Sequence, residues 1–306
     1  MNLSEFLYIN PKIKDAIQNN KPVVALESTI IAHGMPYPQN LETALMLESI
    51  IKDTGCVPAT IAILDGRIVV GLSLEEVEKI AQGKDILKVS AADISYVLGK
   101  DLSGATTAGA TMKLACLAGI RVFATGGIGG VHRGVENTFD ISSDLKTISE
   151  TPIITVSAGA KAILDLPKTL EHLETLNVLV LGYQTNEFPA FYSRESGLKL
   201  NHSVIKASEI ASIFSAQKAI NENSGILVAN PIPEEFEIKA ELINSVIDKA
   251  ILEAKNQGVS GKELTPFLLK YIKDKTSGES LKANIELVKN NVKLACEIAK
   301  LLVAGC

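Results

Sequence analysis

VVALESTIIAHGMPYPQNLETALMLESIIKDTGCVPATIAILDGRIVVGL, residues 23–72, decides the fold class. It opens on a short β-branched and apolar run, VVALEST. A helical stretch follows from about Asn40 to Thr54, and the segment returns to a second apolar run, ATIAILDGRIVVGL. Strand followed by helix followed by strand is the alternation of an α/β chain. The second run carries Asp65-Gly66 at its middle, a dipeptide that accepts the positive φ values of a tight turn, so two strands are predicted on either side of Gly66.

Outward from that segment the alternation continues. Strands are predicted within Arg121–Gly127, Thr151–Gly159, Leu176–Tyr183 and Ser224–Pro231, with helices in the intervals. Leu72–Gln82 opens on Ser73 and two glutamates, an N-cap signature. Thr106–Ala118 is alanine-rich and closes at Gly119, Glu209–Asn221 repeats its apolar face at helical spacing, and Leu281–Leu302 is long. The expected architecture is a single-domain α/β/α sandwich over residues 1–306, with a largely parallel or mixed central sheet flanked by helices. Gly182–Leu200, rich in glycine, proline, aromatics and charge, is expected to form a lid or a pocket wall.

Composition bounds the function. A chain of 306 residues with 46% hydrophobic content can bury a large core. Its formal charge of −5 lacks the basic footprint of a nucleic-acid binder, so no nucleic-acid partner is expected and any phosphate site should be small and local. Met1–Gln18 mixes polar with apolar residues, unlike a signal peptide. The longest apolar runs, such as 152–156 and 177–181, fall far short of the roughly 20 residues of a membrane helix, so no membrane partner is expected and the location should be cytoplasmic. Cys56, Cys116, Cys296 and Cys306 are scattered singly and read as free thiols.

Several segments carry groups suited to catalysis. Glu27 interrupts an apolar strand, where a carboxylate is either a salt-bridged structural group, the commoner case, or a general acid whose pKa is raised by burial. TGGIGGVHRG, Thr125–Gly134, follows a strand and places four glycines ahead of a His132-Arg133 pair, a loop able to offer backbone amides and cations to an anion. TFDISSDL, Thr138–Leu145, places Asp140 and Asp144 four apart with Ser142 and Ser143 between; this suits a water-rich Mn²⁺ or Mg²⁺ site with hydroxyls for a phosphate or sugar, and equally suits helix capping. Lys161 ends TVSAGAKAIL at the predicted start of a helix, a poor place for a cation. The dipole and desolvation would leave more of its amine neutral and nucleophilic there, although snorkelling to the surface is the commoner fate of a lysine. Lys88, closing DILK, and Thr106 and Thr107, at the mouth of the alanine-rich helix, are weaker phosphate candidates. A surface lysine and an N-cap threonine explain them as well.

Taken together, these segments resemble the pseudouridine-5'-phosphate glycosidase family, known also through indigoidine synthase A-like members. ALESTIIAHGMPYPQN, PATIAILDGRIVVGL, KVSAADI, GATTAGATM, FATGGIGGVHRG, TFDISSDL, TVSAGAKAILD, GYQTNEFPAFY and ANIELVKNNVKLA look like family blocks in family order and cover most of Leu26–Ala295. The resemblance implies reversible cleavage of the carbon–carbon bond between uracil and ribose 5-phosphate, with Glu27 as proton donor and Lys161 as the nucleophile that forms a Schiff base. It implies Asp140 as ligand of one Mn²⁺ per subunit. Ser142, Ser143, Asp144, Lys88, Thr107, Ala108, His132 and Asn284 are implied at the substrate. A homotrimer is also implied. The chain departs from the pattern at Ala91-Ala92, where a basic pair is expected, at Ala108-Gly109, where Val-Ala is expected, and at Asn186, where an aspartate is expected. The rival readings are a Schiff-base sugar-phosphate aldolase, which would have no use for uracil, and a non-catalytic sugar-phosphate sensor, which would bind without turnover.

Overall fold

The structure, a computed structural model, describes residues 3–259 and 261–305; Cys306 lies outside them. Its centre is an eleven-stranded sheet: β1 (Leu7–Ile9), β2 (Val23–Glu27), β3 (Val57–Leu64), β4 (Arg67–Val70), β5 (Leu87–Val89), β6 (Gly104–Thr106), β7 (Val122–Ala124), β8 (Ile154–Ser157), β9 (Leu179–Tyr183), β10 (Ser203–Val204) and β11 (Ile226–Ala229). The order along the main path is β1-β4-β3-β2-β7-β8-β11-β9-β10, with β6 pairing β3 and β5 pairing β6. Every pairing is parallel except β3 with β4 and β3 with β6. The expectation of a mixed, largely parallel α/β sheet is therefore met. The β3–β4 hairpin turns at Asp65 and Gly66, both at positive φ, as the sequence requires.

The predicted helices form where their caps place them. Ser73 and Glu76 make the reciprocal capping box of the Leu74–Ala81 helix, and Thr107 caps Ala108–Leu117. The predicted C-terminal helix spans Glu279–Ala304. The two central strands alternate between covers. Leu26 is in register with Thr60 and Ala124, and all three share a small apolar cavity with Leu47 and Val288 from the Gln39–Asp53 and Glu279–Ala304 helices. The next register row, Ala25, Phe123 and Thr155, turns away from that cavity, and Thr155 donates to the Met112 sulfur of the Ala108–Leu117 helix. Period-two alternation thus buries both faces of the sheet under helices, the arrangement a mainly parallel sheet needs.

Cys56 and Cys296 are buried free thiols, as expected; Cys116 is free and half-buried, accepting a hydrogen bond from Arg121. Among the described residues no helix is long and apolar enough to cross a membrane.

Candidate active site

Parallel strands bring their carboxyl ends to one edge, and in this sheet that edge holds the candidate chemistry. Glu27 is the last residue of β2, Thr125 follows β7 directly, and Lys161 lies four residues beyond the end of β8. The registers Leu26–Ala124 and Ala124–Val156 set these segments side by side. One cavity is lined by Glu27, Lys88, Lys161 and Asn284 together, residues spread over more than 250 positions of sequence. Its wall includes Phe191, so Gly182–Leu200 supplies a pocket wall: Phe188, Phe191 and Tyr192 are all buried.

Glu27 is 7% exposed and takes a short hydrogen bond from the Thr125 hydroxyl. Burial pushes its carboxyl above the usual range; Lys161 pulls it back most strongly, then the Thr125 hydroxyl, and Asp144 adds to the rise. This is the balance of an acid that keeps its proton at higher pH than an exposed glutamate. The Thr125 backbone is itself pinned, because buried Asn291 donates to the Thr125 carbonyl and accepts from Asn230.

Lys161 departs from expectation in one respect. It does not open a helix: after β8 the chain runs as an irregular segment, and the next helix begins only at Leu166. No helix dipole therefore acts on the Lys161 amine. Ser157-Ala158-Gly159 cannot turn directly into a helix because Gly159, at φ +78, reverses the chain against Pro189, where a Cβ would stand 2.3 Å from a backbone oxygen. Lys161 is held instead by the glycine loop, its amide donating to the Ile128 carbonyl at 3.1 Å, and its side chain is half-buried.

Four amides of the glycine loop are engaged within the protein. Ile128 donates to Gly159, Gly129 to Asp144, Val131 to Thr169 and His132 to Asp140, so these N–H groups are already taken. The glycines allow close approach: a Cβ on Gly129 would lie 2.2 Å from the Ser142 hydroxyl. Arg133 leaves the site altogether, pairing with Asp248 at 2.7 Å and donating to the Ala162 and Leu164 carbonyls. His132 stays. Its Nδ1 is 3.9 Å from Asp140, and burial holds the imidazole below its ordinary pKa, with Asp140 pulling the other way and Lys161 and Lys88 reinforcing the drop.

TFDISSDL separates into distinct roles. Asp144 is buried and accepts from Gly109 with one oxygen and Gly129 with the other, each at 2.8 Å, tying the first turn of the Ala108–Leu117 helix to the glycine loop. Ser142 caps the Ser143–Ser149 helix, while the Asp140 side chain is 38% exposed. Lys88 sits in β5 opposite Ala105, and the Thr107 amide donates to the Val89 carbonyl, which brings Lys88 to the start of the Ala108–Leu117 helix. Asn284 comes from the C-terminal helix and lies against Gly126.

Thr125, His33 and Asn291 all stand in quoted motifs yet carry no role there. Thr125 carried a signal in hindsight, since it directly follows a strand whose neighbour ends in Glu27. Asn291 carried none, because its partners are remote in sequence.

The family model described as indigoidine synthase A like protein matches residues 12–301. The pseudouridine-5'-phosphate glycosidase of Caldanaerobacter subterraneus subsp. tengcongensis is 55% identical over 97% of each chain, and that of Escherichia coli K12 is 53% identical over 97% of this chain and 95% of its own. Among solved structures, the prealnumycin C-glycosynthase AlnA in complex with ribulose 5-phosphate superposes with a TM-score of 0.90 at 36% identity over 98% of both chains. An indigoidine synthase A-like protein from Thermotoga maritima superposes at 0.89, with 39% identity over 97% of both. The chain belongs to the indigoidine synthase A-like protein family.

Proposed function

We propose that the protein is a pseudouridine-5'-phosphate glycosidase that interconverts pseudouridine 5'-phosphate and water with uracil and ribose 5-phosphate through a lysine adduct. One observation carries the mechanism: a buried, proton-retaining Glu27 and the Lys161 amine line the same cavity. The curated relatives at more than 50% identity carry the substrate assignment.

The bond to be broken joins C1' to carbon C5 of uracil, so no stabilised nitrogen leaving group is at hand. Protonated Glu27 gives its proton to the ring oxygen as the C1'–O4' bond breaks, with the electron pair replaced from uracil N1 through C6 and C5. The Lys161 amine then adds to C1', the C1'=C5 π pair returns through C6 to N1, and the amine releases a proton that becomes available to C5. Protonation at C5 lets the nitrogen lone pair form a C1' iminium while the C1'–C5 bond breaks and uracil leaves. Water hydrolyses the iminium, releasing ribose 5-phosphate and returning the free amine. In the synthetic direction the same steps run backwards, and Glu27 regains the proton.

Lys88, Thr107, Ala108, His132, Ser142 and Ser143 are assigned to the sugar phosphate, Asn284 to the base. Asp144 acts by holding the glycine loop and the Ala108–Leu117 helix in place. Among the described residues no three His, Cys, Asp or Glu side chains cluster as a cage for an ion. A half-exposed carboxylate such as Asp140 does fit a hard divalent cation that keeps several waters and is completed by phosphate oxygens. Mn²⁺, one per subunit, would be held there by Asp140 and would neutralise charge on the phosphate. A homotrimer working in the cytoplasm completes the proposal.

The test is direct: purified protein mixed with uracil, ribose 5-phosphate and Mn²⁺ should form pseudouridine 5'-phosphate. Consumption of ribose 5-phosphate that ignores uracil would instead indicate an aldolase, and binding without turnover a sensor.

A further inference from the structure

Outside the groups assigned above, one polar atom facing this region has no partner. His33 lines the cavity that holds Glu27 and Lys161, and its Nε2 is buried without a hydrogen bond. A buried unpaired ring nitrogen is uncommon in a folded protein and calls for an explanation, of which a missing ligand is one. The ring lies beside the Leu87 backbone, and in its neutral form it can present Nε2 as an acceptor. Burial, with Lys88 adding to it, holds the ring below its ordinary pKa, which keeps that lone pair available near neutral pH.

The surroundings indicate what donates to it. His33 shares the cavity with the apolar Ile30, Phe191, Pro266 and Leu269 and with the Asn284 amide, alongside the charged Glu27, Lys88 and Lys161. Of the groups assigned to the sugar phosphate, His132, Ser142 and Ser143 are absent from this lining, as is Asp140, and Lys88 is on it. The catalytic pair and Lys88 can serve the sugar phosphate, while apolar faces beside an acceptor and an amide suit a planar heterocycle with alternating N–H and C=O groups. We infer that His33 selects the base, its Nε2 accepting a hydrogen bond from a ring N–H of uracil while the Asn284 amide meets a neighbouring carbonyl. The inference rests on the glycosidase reading and names the residue that gives it base specificity.

The test uses the synthetic direction, with the Michaelis constants of the two substrates measured separately. His33→Phe should raise KM for uracil roughly ten- to hundredfold, the loss expected when a site built to accept a hydrogen bond is emptied of its acceptor. KM for ribose 5-phosphate, and borohydride trapping of ribose 5-phosphate alone on Lys161, should stay within twofold. His33→Gln, which keeps an acceptor, should recover part of the uracil KM. The unchanged trapping reports that the variant is folded and its sugar site intact. An unchanged uracil KM overturns the inference, as does a rise confined to the ribose 5-phosphate KM, which would place a sugar hydroxyl on Nε2. Failure of the unsubstituted protein to use uracil at all would sink the glycosidase reading instead, so the two failures are distinct.

Discussion

At the scale of single residues, Glu27 is the group whose environment sets the pH behaviour. Burial raises its pKa, and the Thr125 hydroxyl opposes the rise by stabilising the carboxylate. Removing that hydroxyl in Thr125→Val leaves the carboxylate less stabilised, so the alkaline limb of the kcat profile should move to higher pH. Glu27→Gln should lower kcat by about 10²- to 10⁴-fold, the usual share of a general acid. Linkage gives this substitution a second signature. A folded-state pKa above the ordinary 4.5 means the native protein keeps a proton that the unfolded chain has released. The stability contributed by that proton is complete below pH 4.5 and declines as pH rises through the folded-state value. Thermal unfolding of Glu27→Gln measured across pH should therefore show a midpoint that gains on the unsubstituted protein as pH rises. Much of this was legible, since a carboxylate in an apolar strand announces its own cost. Lys161 was legible as a residue but not in its setting. The Gly159 reversal and the glycine loop that hold it depend on contacts with Pro189 and Ile128, which no local pattern reveals.

At the scale of elements, the site depends on two buried polar ties between segments. Asn291 fixes the C-terminal helix to the Thr125 carbonyl at the end of β7, and Asp144 fixes the glycine loop to the Ala108–Leu117 helix. Asp144→Ala orphans two backbone donors, each costing about 1–3 kcal/mol. Its denaturant midpoint should fall and kcat with it, even though both of its carboxylate oxygens are occupied by backbone. The main helices and longer strands were read from the sequence because caps and periodicity are local signals, Ser73 with Glu76 being the plainest. β1, β5 and β6 were not, because each is three residues long and exists only through its partner. Arg133 was misread for the same reason: beside His132 it resembles an anion ligand, and only the packing turns it toward Asp248.

At the scale of the whole molecule, the sheet gathers groups from both halves of the chain at one edge, Lys88 and Glu27 from the first and Lys161 and Asn284 from the second. Sequence order alone does not show that gathering; the resemblance to a known family supplied it before the strand order explained it. An ion held as proposed at Asp140 should contribute little to the fold. Asp140 is half-exposed and is tied to the framework through its backbone carbonyl, which accepts from the His132 amide. Treatment with a chelator should therefore abolish most activity while leaving the melting temperature within about 1 °C, a shift below that of a 1 kcal/mol loss in a domain of this size. Added Mn²⁺ should restore turnover.

The central claim is that the Lys161 amine bonds the anomeric carbon of the sugar. Incubation with ribose 5-phosphate and borohydride, followed by peptide mass mapping, should find the reduced sugar phosphate on Lys161 and nowhere on a Lys161→Ala protein. An active preparation in which Lys161 stays unmodified would contradict the account.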